Sequence, residues 1–229
     1  MREIIFDTET TGLDPAQGHR LIEIGCIELV NRFPTGKVFH RYFNPQRDVP
    51  AEAFAIHGLS TEFLKDHPLF ESAVEEFLGF VEDAPLVAHN AFFDLGFINA
   101  ELERAQRPPL GRERIIDTLM IARRRHPGAP NRLDDLCARY RIDNSHRTRH
   151  GALLDAELLA EVYVELIGAR QAAFELADNA VAAPSPGTAV QARQRPVPLA
   201  ARVSDAERAA HRAFIATLGE KTLWNDYLS

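Results

Sequence analysis

With 229 residues, 45% of them hydrophobic and 26% charged, the chain is long enough for one globular domain and an appendage. Cys26 and Cys137 lie far apart without metal-ligand spacing, which argues against a disulfide framework and for a reducing, cytoplasmic compartment. There is no signal peptide and no run of 18 apolar residues, so no membrane partner is expected, and the net charge of −7 at first argues against nucleic acid.

The first 43 residues contain three apolar or alternating runs that predict β-strands. These runs are residues 3–7, 21–30 and 38–43, and a turn is predicted at Pro34-Thr35-Gly36 before the third. Consecutive strands joined by short connections favour an antiparallel meander.

Helical periodicity then alternates with two short apolar strands, at residues 86–88 and 115–116. The predicted helices are 60–66, 71–82, 91–105, one that begins at 118, 132–140 and 151–167. Ser60, Ser72 and Asp117 are predicted helix caps, and Ser72 is followed three residues later by Glu75. The order of elements predicts an α/β fold in which a mixed five-stranded sheet carries helices on both faces.

The composition changes after Asn179. Residues 180–203 include four prolines, which is typical of a flexible linker. Helical periodicity returns over 204–217, with Ser204 as the expected cap. We therefore expect a domain at 1–179, a linker at 180–203 and a C-terminal segment at 204–229.

The distribution of charge weakens the objection to a nucleic-acid partner. Residues 1–103 carry 7 basic and 18 acidic side chains, whereas residues 104–149 carry 12 arginines and 5 acids. Arginine is suited to bidentate contacts with phosphate, but a solvated arginine-rich surface has the same composition. Charge alone does not decide between these two interpretations.

Four carboxylates have positions that indicate a metal site. Asp7 and Glu9 are two apart at the end of an apolar strand, so they share a face and together can hold a hard divalent cation. Asp94 and Asp155 each lie on an apolar helical stripe, where an unpaired carboxylate would be costly. The alternatives are an acidic strand end in solvent and internal salt bridges, but the four acids together favour a shared metal centre.

His150 precedes Asp155 by five residues, near the start of the last predicted helix. A neutral imidazole beside metal-held water can act as a general base near neutral pH. The alternative is a histidine at a helix start without a chemical task.

Three motifs, in this order and spacing, resemble those of the DEDDh exonucleases. They are Asp7-Thr8-Glu9-Thr10-Thr11-Gly12-Leu13, His89-Asn90-Ala91-Phe92-Phe93-Asp94 and His150-Gly151-Ala152-Leu153-Leu154-Asp155-Ala156. Over residues 2–175 the chain is similar to the proofreading exonucleases of bacterial replicative polymerases, including Phe54-Ala55-Ile56-His57-Gly58 and Leu136-Cys137-Ala138-Arg139-Tyr140. The resemblance implies a ribonuclease-H-like fold.

The resemblance also implies hydrolysis of a DNA 3′ end with two Mg²⁺ or Mn²⁺ ions. Asp7 would bridge the ions, Glu9 and Asp155 would bind the ion that carries the attacking water, and Asp94 would support the other. His150 would accept the proton of that water. The product would be a nucleoside 5′-monophosphate.

Contacts to the terminal nucleotide are likewise implied by resemblance. Beside Asp7, Glu9 and Asp155, the implied substrate-binding residues are Thr10, Leu13, Glu52, His57 and Asn90. Glu52 would accept a hydrogen bond from the 3′-hydroxyl, and Leu13 would wedge against a base. Phe93 would border the same pocket, and for both Leu13 and Phe93 the alternative is packing in the core.

The implied partners are a single-stranded or mispaired DNA 3′ end and, through residues 204–229, the catalytic (alpha) subunit of a polymerase. Gln171-Ala172-Ala173-Phe174-Glu175-Leu176 loosely resembles a sliding-clamp peptide, or else is a frayed helix end. A small theta-like subunit is left open. Two rival interpretations are an exoribonuclease, which the motifs cannot distinguish, and a binding module without catalysis, against which the complete set of five site residues argues.

Overall fold

The computed structural model describes residues 1–145, 147, 149–168, 203–218 and 224. The chain divides into two compact units, Met1–Leu176 and Ala177–Ser229. Within the described ranges, no helix is both long enough and apolar enough to cross a membrane.

One mixed sheet of five strands forms the centre of the first unit, in the order β3-β2-β1-β4-β5. The strands are β1 (Arg2–Thr10), β2 (Leu21–Val30), β3 (Phe33–Tyr42), β4 (Leu86–Ala88) and β5 (Ile115–Asp117). β1 pairs antiparallel with β2 and parallel with β4. The predicted meander is therefore confirmed, and β1 is a central strand.

Helices cover both faces of this sheet, as predicted. They are α1 (Ala51–His57), α2 (Thr61–Lys65), α3 (Phe70–Val81), α4 (Ala91–Arg104), α5 (Thr118–Arg125), α6 (Leu133–Tyr140) and α7 (Ala152–Leu166). On one face, Ile4 and Phe6 of β1 belong to a core cluster with α3 and α4. On the other face, Ile5 packs with residues of α7. The alternation of β1 side chains thus directs neighbouring residues into two separate cores.

The predicted turn at Pro34–Gly36 is wrong. The hairpin reverses at Asn31 and Arg32, which have φ of 52° and 73°, between the paired residues Val30 and Phe33. A two-residue hairpin favours positive φ at both central positions because this geometry matches the strand twist. Pro34–Gly36 lies inside β3, opposite a register shift between Ile27 and Leu29. The proline and glycine therefore mark a bulge.

Ser60 and Asp117 cap their helices, accepting hydrogen bonds from the backbone N–H groups of Phe63 and Leu119. The prediction for Ser72 is wrong, because α3 begins at Phe70 and the Ser72 hydroxyl donates to the Leu69 carbonyl at 2.8 Å. Burial of Phe70 in the core explains the earlier start.

α1 was not predicted as a helix. Among its residues only His57 is buried, while Phe54 and Ile56 are exposed. The segment therefore lacks the periodic apolar face from which a helix is predicted.

Gly25 of β2 brings the start of α7 onto the sheet. A Cβ atom at Gly25 would lie 2.3 Å from the backbone nitrogen of Leu153, which no side chain can accommodate without movement. Gly25 is the cross-strand partner of Asp7. The absence of a side chain at this position therefore lets the first turn of α7 approach the acidic end of β1.

The second unit contains α8 (Asp205–Ala216), in the region predicted to be helical. Ser204 accepts a hydrogen bond from the Glu207 N–H, and the Glu207 carboxylate accepts one from the Ser204 N–H, so Ser204 is confirmed as the cap. Three sets of residues lie outside the described ranges: the expected linker up to residue 202, the peptide 171–176, and the apolar residues Leu223, Tyr227 and Leu228 near the end of the C-terminal segment.

Candidate active site

The four predicted acids come from three elements and line one cavity of about 980 Å³. Asp7 and Glu9 lie in the second half of β1, Asp94 in the first turn of α4 and Asp155 in the first turn of α7. His150, two residues before α7, and Asn90, at the start of α4, line the same cavity. The structure thus brings together all five residues of the predicted metal and proton-transfer set.

A divalent cation fits the donor atoms present here. Glu9, His150 and Asp155 each offer a ligand atom, and these atoms lie within 4.8 Å of one another. Asp94 is held by a hydrogen bond of 2.6 Å from the Thr8 hydroxyl, a contact that was not predicted from the sequence. Carboxylate oxygens are the ligands that Mg²⁺ and Mn²⁺ prefer.

The electrostatics of the cavity also favour a bound cation. Burial raises the pKa of Asp7 well above its usual value, and repulsion from Asp94, Glu9 and Asp155 adds to this effect. The pKa of Glu9 is raised to about 8, chiefly by burial and secondly by repulsion from Glu23. Burial raises the pKa of Asp94 to about 7. Positive charge in the cavity would relieve this repulsion.

Asp155 differs from the other three acids because a cationic side chain donates hydrogen bonds to it. Burial would raise its pKa, but hydrogen bonds from His150 and Arg147 outweigh burial and hold the pKa below its usual value. The Arg147 side chain contacts both carboxylate oxygens of Asp155 at 2.6 Å. The surplus of arginines in residues 104–149 was the signal for such a contact, but nothing singled out Arg147.

We expect the metal-free protein to lose stability as the pH rises from about 4 to about 8. Folded Glu9 and Asp94 have pKa values of about 8 and about 7, above the roughly 4 of unfolded carboxyls. Between these pKa values the folded state holds protons that the unfolded state has lost, so its stability falls as the pH rises and levels off above the folded pKa values. Melting temperatures in EDTA should decline across this range. Added Mn²⁺ should remove most of the decline, and a flat profile in EDTA would contradict the raised pKa values.

A second, smaller cavity of about 510 Å³ adjoins the acids. It is lined by four of the predicted nucleotide contacts: Thr10, Leu13, Glu52 and His57. Glu9 and Phe93 line both cavities. The structure therefore gathers the predicted nucleotide residues beside the acids, with Asn90 on the wall of the larger cavity.

Two apolar residues near this cavity have distinct environments. Leu13 is 83% exposed, which excludes the alternative of core packing. Phe93 is half-buried and packs against the core, with its ring centroid 5.1 Å from that of Phe97. Phe93 thus both borders the two cavities and contacts the core.

His57 presents a buried donor at the smaller cavity. Its Nδ1 accepts a hydrogen bond from the Leu59 N–H at 3.0 Å, and its Nε2 has no hydrogen-bond partner among the described residues. Burial lowers the pKa of His57, which favours the neutral ring with its proton on Nε2. An oxygen acceptor on a ligand would satisfy this donor.

Buried acids at the carboxyl end of a central strand, facing acids on two helices, are the features of a metal-dependent nuclease site. Residues 4–163 match the family model described as "Exonuclease". The nuclease domain of 3′hExo, described as a DEDDh family member bound to rAMP, has the same fold, with a TM-score of 0.60 and 15% identity over 73% of this chain and 92% of that chain.

Two bacterial relatives are named DNA polymerase III subunit epsilon. The protein from Rickettsia felis is 56% identical over 184 residues, which cover 79% of this chain and 80% of the relative. The protein from Escherichia coli K12 is 49% identical over 174 residues, which cover 73% of this chain and 72% of the relative. The chain belongs to the exonuclease family and, within it, to the group of DNA polymerase III epsilon subunits.

Proposed function

We propose that this protein is the proofreading 3′→5′ exodeoxyribonuclease of a bacterial replicative polymerase and acts in the cytoplasm. It removes the terminal nucleotide of a DNA strand as a 5′-monophosphate. The proposal rests on one observation: Glu9 and Phe93 line both the larger acid cavity and the smaller cavity, so the two cavities adjoin. A nucleotide in the smaller cavity would present its phosphate to the acids in the larger one.

The proposed metal set assigns each acid a role. Glu9 and Asp155 would hold one Mg²⁺ or Mn²⁺ ion and Asp94 a second, with Asp7 contributing to both. Bound ions would neutralise the acids and supply an activated water. The Thr8 hydroxyl fixes the orientation of Asp94 through its 2.6 Å hydrogen bond. Burial of Asp94 and Asp155 keeps both carboxylates from rotating into solvent.

His150 is the proposed proton acceptor. Its side chain is half-exposed, so the ring can reach a water in the open cavity. Its Nδ1 lies 3.1 Å from Asp155 Oδ2. When Nδ1 donates to this carboxylate, the lone pair of Nε2 is free to accept a proton from the attacking water.

Recognition of the 3′ end is assigned to the smaller cavity. Glu52 would accept a hydrogen bond from the 3′-hydroxyl, and the Nε2–H of His57 would donate to an oxygen of the nucleotide. The exposed Leu13 would wedge against the terminal base. The Thr10 hydroxyl donates to the Gly12 carbonyl at 2.6 Å, which holds the loop that carries Leu13.

We expect single-stranded or mismatched DNA 3′ ends to be hydrolysed faster than paired ends. The cavity must take the terminal nucleotide out of its stack, and this costs less where the end is already unpaired. Initial rates of the isolated chain on four matched substrates test this: single-stranded, mismatched and paired DNA ends, and a single-stranded RNA end. Equal rates on paired and mispaired ends would contradict proofreading, and faster cleavage of an RNA 3′ end would favour the exoribonuclease.

The same assay with and without EDTA tests metal dependence. Hydrolysis that persists in EDTA would contradict metal dependence, and no hydrolysis with Mg²⁺ would favour a binding module.

The second unit is proposed to bind the catalytic (alpha) subunit of the polymerase, with 180–203 as a tether. In α8 and beyond, Phe214, Leu218 and Trp224 are each about half exposed or more. Exposed aromatic and aliphatic side chains of this kind commonly anchor interfaces. We retain 171–176 as a proposed clamp peptide, with Gln171 and Phe174 as its anchors, and propose no role for a theta-like subunit.

Deletion of residues 181–229 should leave hydrolysis of free single strands unchanged and abolish co-purification with the polymerase. The physical reason is that the site residues all precede residue 156, whereas the exposed apolar side chains of the proposed interface follow residue 213. Activity, melting temperature and co-purification of the truncated and full-length chains should be compared. Joint loss of stability and activity would mean that the segment is part of the nuclease core.

A further inference from the structure

Arg147 lies within the acid cavity, where it holds Asp155. Its Nε and Nη2 atoms are 2.6 Å from Oδ1 and Oδ2 of Asp155, and the arginine side chain is only 7% exposed. Its Nη2 also lies 2.5 Å from Nδ1 of His150. The guanidinium therefore occupies both oxygens of one proposed metal ligand and contacts the proposed proton acceptor.

This contact and a bound divalent ion compete for Asp155. The ligand atoms of Glu9, His150 and Asp155 lie within 4.8 Å of one another, and two of these three residues are occupied by Arg147. An ion at this position would need a lone pair of Asp155 and would place two positive charges beside the guanidinium. Repulsion at such short range is strong because the cavity wall has a low dielectric.

We propose that Arg147 is an internal counter-cation that occupies Asp155 while the site holds no divalent ion and is displaced from Asp155 when the ion binds. The inference rests on the proposed function, since it takes Asp155 as a metal ligand. Arg147 would thus stabilise the empty site and weaken its affinity for metal.

Asp134 supplies the place to which Arg147 is displaced. Its Oδ1 accepts a hydrogen bond of 2.7 Å from Arg147 Nη1 and another of 3.1 Å from the Asn144 side chain. Asp134 lies on α6 and is exposed, and it is not one of the proposed metal ligands. The guanidinium can keep this contact while its two bonds to Asp155 break.

The test is a calorimetric titration of the full-length chain with Mn²⁺ alone, without DNA. Arg147→Met keeps the apolar stem of the side chain but removes its charge and its two hydrogen bonds to Asp155. We therefore expect this variant to bind Mn²⁺ about tenfold tighter than the wild type. Arg132→Met is the matched control. Arg132 is an exposed arginine that lines the same cavity, and its loss should change the affinity by less than about twofold.

Stability provides a second measurement. The melting temperature of Arg147→Met should fall below that of the wild type in EDTA and rise more than the wild type with saturating Mn²⁺. If this variant does not fold, Arg147→Lys takes its place. Lysine cannot bind both oxygens of Asp155 at once, so it should give a smaller gain in Mn²⁺ affinity.

A double-mutant cycle separates displacement toward Asp134 from a general charge effect. Asp134→Asn should weaken Mn²⁺ binding in the wild type, because the guanidinium loses its second anchor. The same substitution in the Arg147→Met background should have little effect. An equal effect in both backgrounds would overturn the role of Asp134.

The possible failures are distinguishable. If the wild type binds Mn²⁺ and Arg147→Met binds it no tighter than Arg132→Met, competition by Arg147 is overturned while the proposed function stands. If the wild type binds no Mn²⁺ at all, the metal site fails and the inference falls with it.

Discussion

Asp7→Asn should reduce hydrolysis of single-stranded DNA to the background rate while making the metal-free protein more stable. Asp7 is the ligand proposed to bridge both ions, so an amide in its place would remove one negative charge from each ion's environment. Without metal, the same carboxylate is buried among three other acids, which is why its pKa is raised. The substitution replaces this repulsion with a neutral group of nearly the same shape.

Melting temperatures in EDTA and in Mn²⁺ test both parts of this expectation. In EDTA the variant should melt about 2–4 °C higher than the wild type, the shift that about 1 kcal/mol produces at this size. In Mn²⁺ the order should reverse, because only the wild type binds the ions well. Asp83→Asn, at an exposed site in a turn, is the control and should change neither quantity. Near-normal activity of Asp7→Asn in Mg²⁺ would contradict the two-metal assignment.

His150→Gly should lower turnover by roughly 10²–10⁴-fold, the usual contribution of general acid–base catalysis. Binding of single-stranded DNA should change far less, since the ring contacts Asp155 and Arg147 and lies outside the smaller cavity.

Chemical rescue distinguishes proton transfer from a structural role of His150. The side chain is 48% exposed, so imidazole from solution can enter the space left by its removal. Added imidazole should restore part of the turnover of His150→Gly and leave the wild type unchanged. If added imidazole has no effect on the turnover of His150→Gly, another group accepts the proton.

Residues with strong local patterns were predicted correctly from the sequence. The bounds of β2 and β4 match because β2 has a roughly alternating apolar pattern and β4 is a continuous apolar run. Ser60, Asp117 and Ser204 were predicted as caps because a hydroxyl or carboxylate at this position satisfies free N–H groups. Asp7, Glu9, Asp94 and Asp155 were brought together by their motifs, and the structure places them around one cavity.

The failures concern features that depend on tertiary contacts. The Asn31–Arg32 turn puts an arginine at positive φ, and its guanidinium is held by the buried Glu3 and by Tyr163. No local signal predicts those partners, which are far away in the chain. Arg147 was missed for the same reason, because 12 arginines lie in its region and only folding shows which one contacts Asp155.

The position of β1 at the centre of the sheet has a consequence for biosynthesis. Asp7 and Glu9 are translated before the other site residues, whereas His150 and Asp155 come near the end of the nuclease unit. β1 also needs β4 as a parallel neighbour, and α7 must pack on the sheet before Asp155 can face Asp7. A nascent or prematurely terminated chain that lacks α7 therefore has no complete site. Under the proposed function, the nascent chain becomes a competent nuclease only after nearly all of this unit has been translated.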